Sequence, residues 1–196
     1  MRLILASASP RRAEILRNAG IAFEVRAALI NESPRGGELP SDYVQRLALE
    51  KARAVAHENA TEQAIDEPTI FIGADTTVVI DGEMLGKPES EEDARRMLRL
   101  LSGRVHEVHT GLALTRRPGA WEKVADEVTR VMLAKLSGHE IETYVASGEP
   151  FGKAGGYAVQ GIAGRYVTRI EGCYFNVVGL PLASLYALLR EADWDG

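Results

Sequence analysis

Leu3-Ile4-Leu5-Ala6-Ser7-Ala8-Ser9-Pro10-Arg11-Arg12 reads as a strand, a turn and the start of a helix. Leu3–Ala6 is a short apolar run. Ser9 suits an N-cap, Pro10 suits the first helical position because its missing N–H is not needed there, and Gly20 suits the stop. Working outward, a second helix is expected from about Asp42 to His57 and a strand from Thr69 to Ile72. Val78-Val79-Ile80, Asp81-Gly82 and Glu83-Met84-Leu85 read as a hairpin with a tight turn. Ser90 opens a third helix with acids in its first turn and arginines later, as the helix dipole favours, and Gly103 closes it. Two long strands follow near 105–116 and 121–136, joined by Arg117-Pro118-Gly119. Ser137 with Glu140 forms a capping box before a short helix ending at Gly148. A strand near 166–170 and a helix from Leu182 to Glu191 complete the pattern, with loops at 31–40 and 149–165. The fold class is therefore α/β, with a mixed sheet whose hairpins are antiparallel rather than a purely parallel doubly wound sheet.

The 196 residues fit one domain spanning 1–196, or one domain with two lobes. At 45% hydrophobic and 26% charged the composition is that of an ordinary globular protein. No apolar run approaches the roughly 20 residues that span a bilayer. Leu3–Ala6 is also shorter than a signal-peptide core of roughly 7–15 residues, so neither membrane nor export is expected. Cys173 is the sole cysteine, which excludes an internal disulfide and fits a cytoplasmic, reducing compartment. Beside Tyr174 and Phe175 it reads as a packed thiol before it reads as a nucleophile. A net charge of -5 argues against general nucleic-acid binding, which shows a basic excess, but leaves a phosphate ligand open.

Three places break the local rules, and such breaks collect at functional sites. Arg11 and Arg12 stand at the positive end of a helix, where a cation is unfavourable by about 0.3–1 kcal/mol. A bound anion would reverse that sign, and free N–H groups, Ser7, Ser9 and two guanidiniums would then form a phosphate cradle. Two solvated arginines are the plainer reading. Lys51 shares a helix face with Val44, Leu47, Ala48 and Val55, so it must snorkel, pair or face a polar cavity. Asp75 interrupts the apolar stretch from Thr69 to Ile80 and needs a partner, a metal or a raised pKa, unless it is a structural aspartate at a strand bend after Gly73. Lys87, in Gly86-Lys87-Pro88, and Lys153, among the glycines of 149–161, add cations on loops whose backbone a ligand could approach closely.

Several stock motifs are missing. Gly82 to Lys87 is one residue short of a P-loop, and Pro88 stands where a Ser or Thr is needed. His106 and His109 lie three apart on a strand pattern and face opposite sides, so they are not a zinc pair.

At these residues the chain resembles the Maf family of nucleotide pyrophosphatases. The likeness covers nearly the whole sequence. It includes Leu5-Ala6-Ser7-Ala8-Ser9-Pro10-Arg11-Arg12, Asn31-Glu32-Ser33-Pro34, Glu50-Lys51-Ala52, Gly73-Ala74-Asp75-Thr76 and Gly86-Lys87-Pro88. Gly148-Glu149-Pro150 through Lys153-Ala154-Gly155-Gly156-Tyr157, Gln160-Gly161 and Asn176-Val177-Val178-Gly179-Leu180-Pro181 follow in order. The resemblance implies a two-lobed α/β fold related to inosine-triphosphate pyrophosphatases, with a cleft between the lobes. It also implies Asp75 as proton acceptor, a divalent cation such as Mg²⁺ or Mn²⁺, and often a homodimer. Arg11, Thr76 and Gln160 match the branch that prefers dTTP and UTP, and the amide of Gln160 offers a donor and an acceptor that suit N3–H and O4 of uracil or thymine. The family commonly has an aspartate before the loop lysine, where this chain has Gly152.

The expected chemistry is hydrolysis of a nucleoside triphosphate to the monophosphate and pyrophosphate. Ser7, Arg11, Arg12, Lys51, Lys87 and Lys153 would surround the triphosphate, and Glu32 and Asp75 would hold the metal. Nucleic acid and membrane are not expected as partners. A nucleotide-binding regulator of septum formation, and the same chemistry on 7-methyl-GTP or modified bases, are the alternatives.

Overall fold

The structure is a computed structural model that describes residues 1–62 and 68–196. Its elements in chain order are β1 (Arg2–Leu5), α1 (Pro10–Asn18), β2 (Glu24–Val25), α2 (Pro40–Glu62), β3 (Thr69–Ile80), β4 (Glu83–Leu85) and α3 (Glu91–Leu101). Then come β5 (Val105–Arg117), β6 (Glu122–Leu133), α4 (Gly138–Ala146), 3-10 turns at Ala154–Gly156 and Ile162–Tyr166, β7 (Val167–Glu171), α5 (Tyr174–Val178) and α6 (Leu182–Glu191). The 7-stranded sheet has the order β2-β1-β3-β5-β6-β7, with β4 on β3. β1 runs parallel to β2 and β3, β4 is antiparallel to β3, and β7 is antiparallel to β6. The expected mixed α/β architecture is what the chain adopts.

The chain divides into two compact units. The first comprises Met1–Asp75, Thr110–Glu127 and Gly179–Gly196; the second comprises Thr76–His109 and Val128–Val178. In the first, α2 buries Val44, Leu47, Ala48, Ala52 and Val55, the i, i+3, i+4 stripe of a core-facing helix. Two glycines let it lie flush on the strands. A Cβ on Gly73 would run into the Ala48 carbonyl, and one on Gly111 into the Val44–Gln45 peptide. Ile4, Ala6, Phe71 and Ala113 pack beneath the same helix.

The second unit has a core of its own. α3 contributes Ala94, Met97, Leu98 and Leu101, which pack with Leu85, Val108, Val131, Ile141, Tyr144 and Tyr166. Ser90 caps α3 by accepting from Asp93 N, and the Ser137–Glu140 capping box opens α4. Asp81 and Gly82 both have positive φ, 52° and 79°, the backbone of a type I′ hairpin turn.

Some expectations need correcting. β3 does not stop at Ile72 but continues to Ile80. The charge that interrupts its apolar pattern, Asp75, is met by Lys51, so the strand has no reason to break. Ser9 occupies the N-cap of α1 without a side-chain capping bond; its own N–H donates to Ser7 Oγ at 3.3 Å. The loop 149–165 carries two 3-10 turns. β2 and α5, of 2 and 5 residues, are too short to show any periodicity.

Candidate active site

In the first unit, Ser7, Arg12, Glu32, Lys51 and Asp75 are brought together. Gly73 and Asp75 share one face of β3, because side chains alternate along a strand, and that face carries α2. With Gly73 bringing the helix down at Ala48, Lys51 sits one turn further on, above Asp75. Its Nζ donates to Asp75 Oδ1 at 2.6 Å and lies 2.6 Å from Glu32 Oε1. The Lys51 and Asp75 side chains are 9% and 11% exposed, that of Glu32 43%. Lys51 thus pairs rather than snorkels. Removing one member of such a buried pair costs about 3–5 kcal/mol, since the other charge is stranded.

Arg12 turns inward from the first turn of α1. Its Nε donates to Gly179 O at 2.7 Å, and its Nη1 donates to Ser7 Oγ at 3.0 Å and Ala74 O at 2.9 Å. Burial lowers its pKa, and the charges of Asp75 and Glu32 oppose that shift; a guanidinium stays charged throughout. One buried arginine therefore ties the Ser7 turn to the peptide directly before Asp75. Arg11 lies beside it, half-buried on the same turn.

Glu32 is on a loop, and α2 holds that loop down. Tyr43 OH donates to Glu32 O at 2.9 Å, and Arg46 donates to Ser33 O at 3.3 Å and, with two nitrogens, to Glu38 at 2.6 and 2.7 Å. The Arg46 hydrogen bonds pull Glu38 down to about 2. Burial, then the charges of Asp75 and Glu32, push Tyr43 up to about 12. Tyr43 and Arg46 escaped the sequence reading, since a tyrosine and an arginine on a half-buried helix face break no local rule.

The remaining candidates lie in the second unit. Thr76 follows Asp75 along β3 and is half-buried; Lys87 and Gln160 are exposed, and Lys153 is half-buried. Gly155 N donates to Gly86 O at 3.0 Å, joining the Lys87 turn to the Lys153 loop. Lys153 Nζ donates to Glu149 O, and to Phe151 O at 3.3 Å. His106 and His109 are buried; His106 Nε2 is 2.7 Å from Tyr157 OH and His109 Nε2 3.2 Å from Glu107. Burial pulls His106 down to about 4.

Among the described residues no group of three or more His, Cys, Asp or Glu is placed to hold a metal ion. Glu32 and Asp75 remain as a pair of carboxylates converging on one ammonium. Hard oxygen donors of that kind suit Mg²⁺ or Mn²⁺, which take one or two carboxylates and complete their shell with water and phosphate oxygens. The residues fit such an ion.

The model of Maf-like proteins matches residues 2–192. The chain belongs to the Maf family. Its Maf relatives include the dTTP/UTP pyrophosphatase of Koribacter versatilis, 51% identical over 192 residues, covering 98% of this chain and 95% of the relative. The dTTP/UTP pyrophosphatase of Pelotomaculum thermopropionicum is 47% identical over 193 residues, covering 98% and 97%. That of Hahella chejuensis is 48% identical over 190 residues, covering 97% and 92%. Among solved structures, the Staphylococcus aureus Ham1 protein gives a TM-score of 0.49 at 14% identity over 98% of this chain and 100% of that one, too loose a likeness to bear on the Maf fold.

Proposed function

We propose that this Maf-family chain hydrolyses nucleoside triphosphates, dTTP and UTP by preference, to the monophosphate and pyrophosphate. The observation that carries the reading is the placing of Asp75. Lys51 holds its carboxylate, and Arg12 holds the carbonyl of the preceding residue, so the base cannot swing away. Relatives about half identical over nearly their whole length, named for this activity, support it.

In the proposed step, water attacks the α-phosphorus, the bond to the bridging oxygen breaks, pyrophosphate leaves, and Asp75 takes the proton of the water. A divalent cation held by Glu32 and Asp75 would neutralise phosphate charge. Lys51 keeps Asp75 aimed. Arg12 holds the Ser7 turn and the Ala74 peptide, and Arg11 and Ser7 meet phosphate oxygens at the start of α1. Lys87 and Lys153 supply further cations for a substrate of about three to four negative charges. Gln160, with Thr76 and Arg11, selects the base. A pure binder needs neither a base nor an attacking water, whereas the Glu32 and Asp75 carboxylates beside the cations supply a candidate base. That favours an enzyme over a regulator.

We infer also that the protein acts in the cytoplasm, as a homodimer and without nucleic-acid or membrane partners. The net charge of -5 supports the absence of nucleic acid, and no described helix is long and apolar enough to cross a membrane.

The test is pyrophosphate release from dTTP, UTP, CTP, dATP, GTP and 7-methyl-GTP, with and without Mg²⁺ or Mn²⁺, for the wild type and Asp75→Asn. Metal-dependent release favouring dTTP and UTP is expected, with kcat of the variant lower by roughly 10²–10⁴-fold. Near-normal turnover by Asp75→Asn removes the base from Asp75. Tight binding of every nucleotide without release moves the protein to the regulator class.

A further inference from the structure

Glu149 opens the loop that carries Lys153 and Gln160, and its polar groups are spent on that loop and on the end of α4. Its Oε1 accepts from Tyr144 OH at 3.0 Å and from Ala163 N at 3.3 Å; its Oε2 accepts from Ile162 N at 2.8 Å. Its N–H donates to Ser147 Oγ at 3.2 Å, and its carbonyl accepts from Lys153 Nζ. The carboxylate rests against the Cα of Gly161, where any Cβ would overlap it. The φ of Gly161 is -115°, a value any residue adopts, so the glycine is there for the room that Glu149 takes. Burial pushes the Glu149 carboxyl up, but the donors Ile162, Ala163 and Tyr144 and the charge of Lys153 outweigh it and leave it below its usual value.

We infer that Glu149 is a positioning residue that fixes Gln160 relative to Lys153, and so sets how strictly the enzyme selects its base. Its side chain grips the two residues after Gly161, directly beyond Gln160, while its main chain grips Lys153. A nucleotide read by both presents its base and its phosphates at a fixed spacing, and a loop free to shift by about one ångström would read other bases almost as well. The inference rests on the proposed reading in which Gln160 meets the base and Lys153 the phosphates.

Glu149→Gln keeps the shape of the side chain. Its NH2 must face the N–H of Ile162 or, turned over, that of Ala163, so one backbone donor always loses its acceptor. The expected result is a ratio of kcat/KM for dTTP over GTP lowered about tenfold, mainly through KM for dTTP, with faster amide exchange at Ile162 and Ala163. Gly161→Ala keeps the charge and displaces the carboxylate, and is expected to act in the same direction; it decides the matter if Glu149→Gln does not fold. Gln160→Ala is run beside them. If Gln160→Ala lowers the ratio while a folded Glu149→Gln leaves it unchanged, the positioning role is overturned and the base-reading role stands. If Gln160→Ala itself leaves the ratio unchanged, the base-reading role fails and takes this inference with it. Loss of selectivity in both supports it.

Discussion

The cations of the first unit and those of the second are held in different ways. Lys51 and Arg12 are buried, and their partners are two carboxylates, a hydroxyl and backbone carbonyls. Lys87 is exposed and Lys153 half-buried, on loops tied down by bonds to main-chain carbonyls. In the first group the charges hold one another, so the atoms to which the proposal gives the chemistry also belong to the fold. In the second, bonds to main-chain carbonyls hold the loops, and the Lys153 ammonium is itself one of the donors. Substitutions in the first are therefore expected to cost stability and turnover together, and in the second to cost mainly binding.

Lys51→Met is the harshest test. It strands Asp75 without its ammonium partner and is expected to lower the free energy of unfolding by about 3–5 kcal/mol, read by urea denaturation, together with turnover. A variant as stable as the wild type would show that the buried pair is not part of the fold.

A pH titration probes the core of the second unit. His106 has its pKa depressed by burial to about 4, so between the usual value near 6.5 and about 4 the unfolded chain binds a proton that the folded chain does not. Stability is full above about 6.5 and is lost as pH falls towards 4, by up to about 3 kcal/mol at 1.36 kcal/mol per unit. Comparing urea midpoints at pH 7 and pH 4.5 for the wild type and His106→Phe checks it, with the slope smaller in the variant.

Gly73→Ala sets a methyl against the Ala48 carbonyl. It is expected to destabilise by about 1–3 kcal/mol through overpacking and to lower kcat by lifting Lys51 from Asp75. Normal kcat in a destabilised variant would separate the helix–strand approach from the chemistry. The mildest change is Lys153→Ala, for which KM for dTTP should rise about tenfold, the effect of removing one hydrogen bond to a charged group, with the melting temperature hardly moved. A large drop in melting temperature would make that loop part of the fold after all.

The residues most legible in the sequence were those whose charge contradicted the pattern around them. Lys51 on an apolar helix stripe and Asp75 in an apolar strand each called for a partner, and each is the other's. Arg12 at the positive end of a helix was legible as an oddity, but its partners were not, since Ala74 and Gly179 offer only backbone carbonyls. Glu149 was legible only as part of the Gly148-Glu149-Pro150 motif, because a carboxylate that collects main-chain N–H groups leaves no trace in residue type. Gly73 and Gly111 stand out only once α2 lies across them.

The sequence by itself determined most of the longer elements, the caps at Ser90 and Ser137, the Asp81-Gly82 turn and the apolar helix faces, because helix and strand periodicity and capping act within a few residues. It also carried the family, through motifs spread along nearly the whole chain. Only the tertiary structure decided which charges meet. Lys51 and Asp75 lie 24 residues apart, Arg12 and Gly179 lie 167 apart, and no local pattern encodes such a pairing. It follows from how closely α2 lies on the strands it covers, which the absence of a Cβ at Gly73 and Gly111 allows, and from a guanidinium satisfied inside the fold.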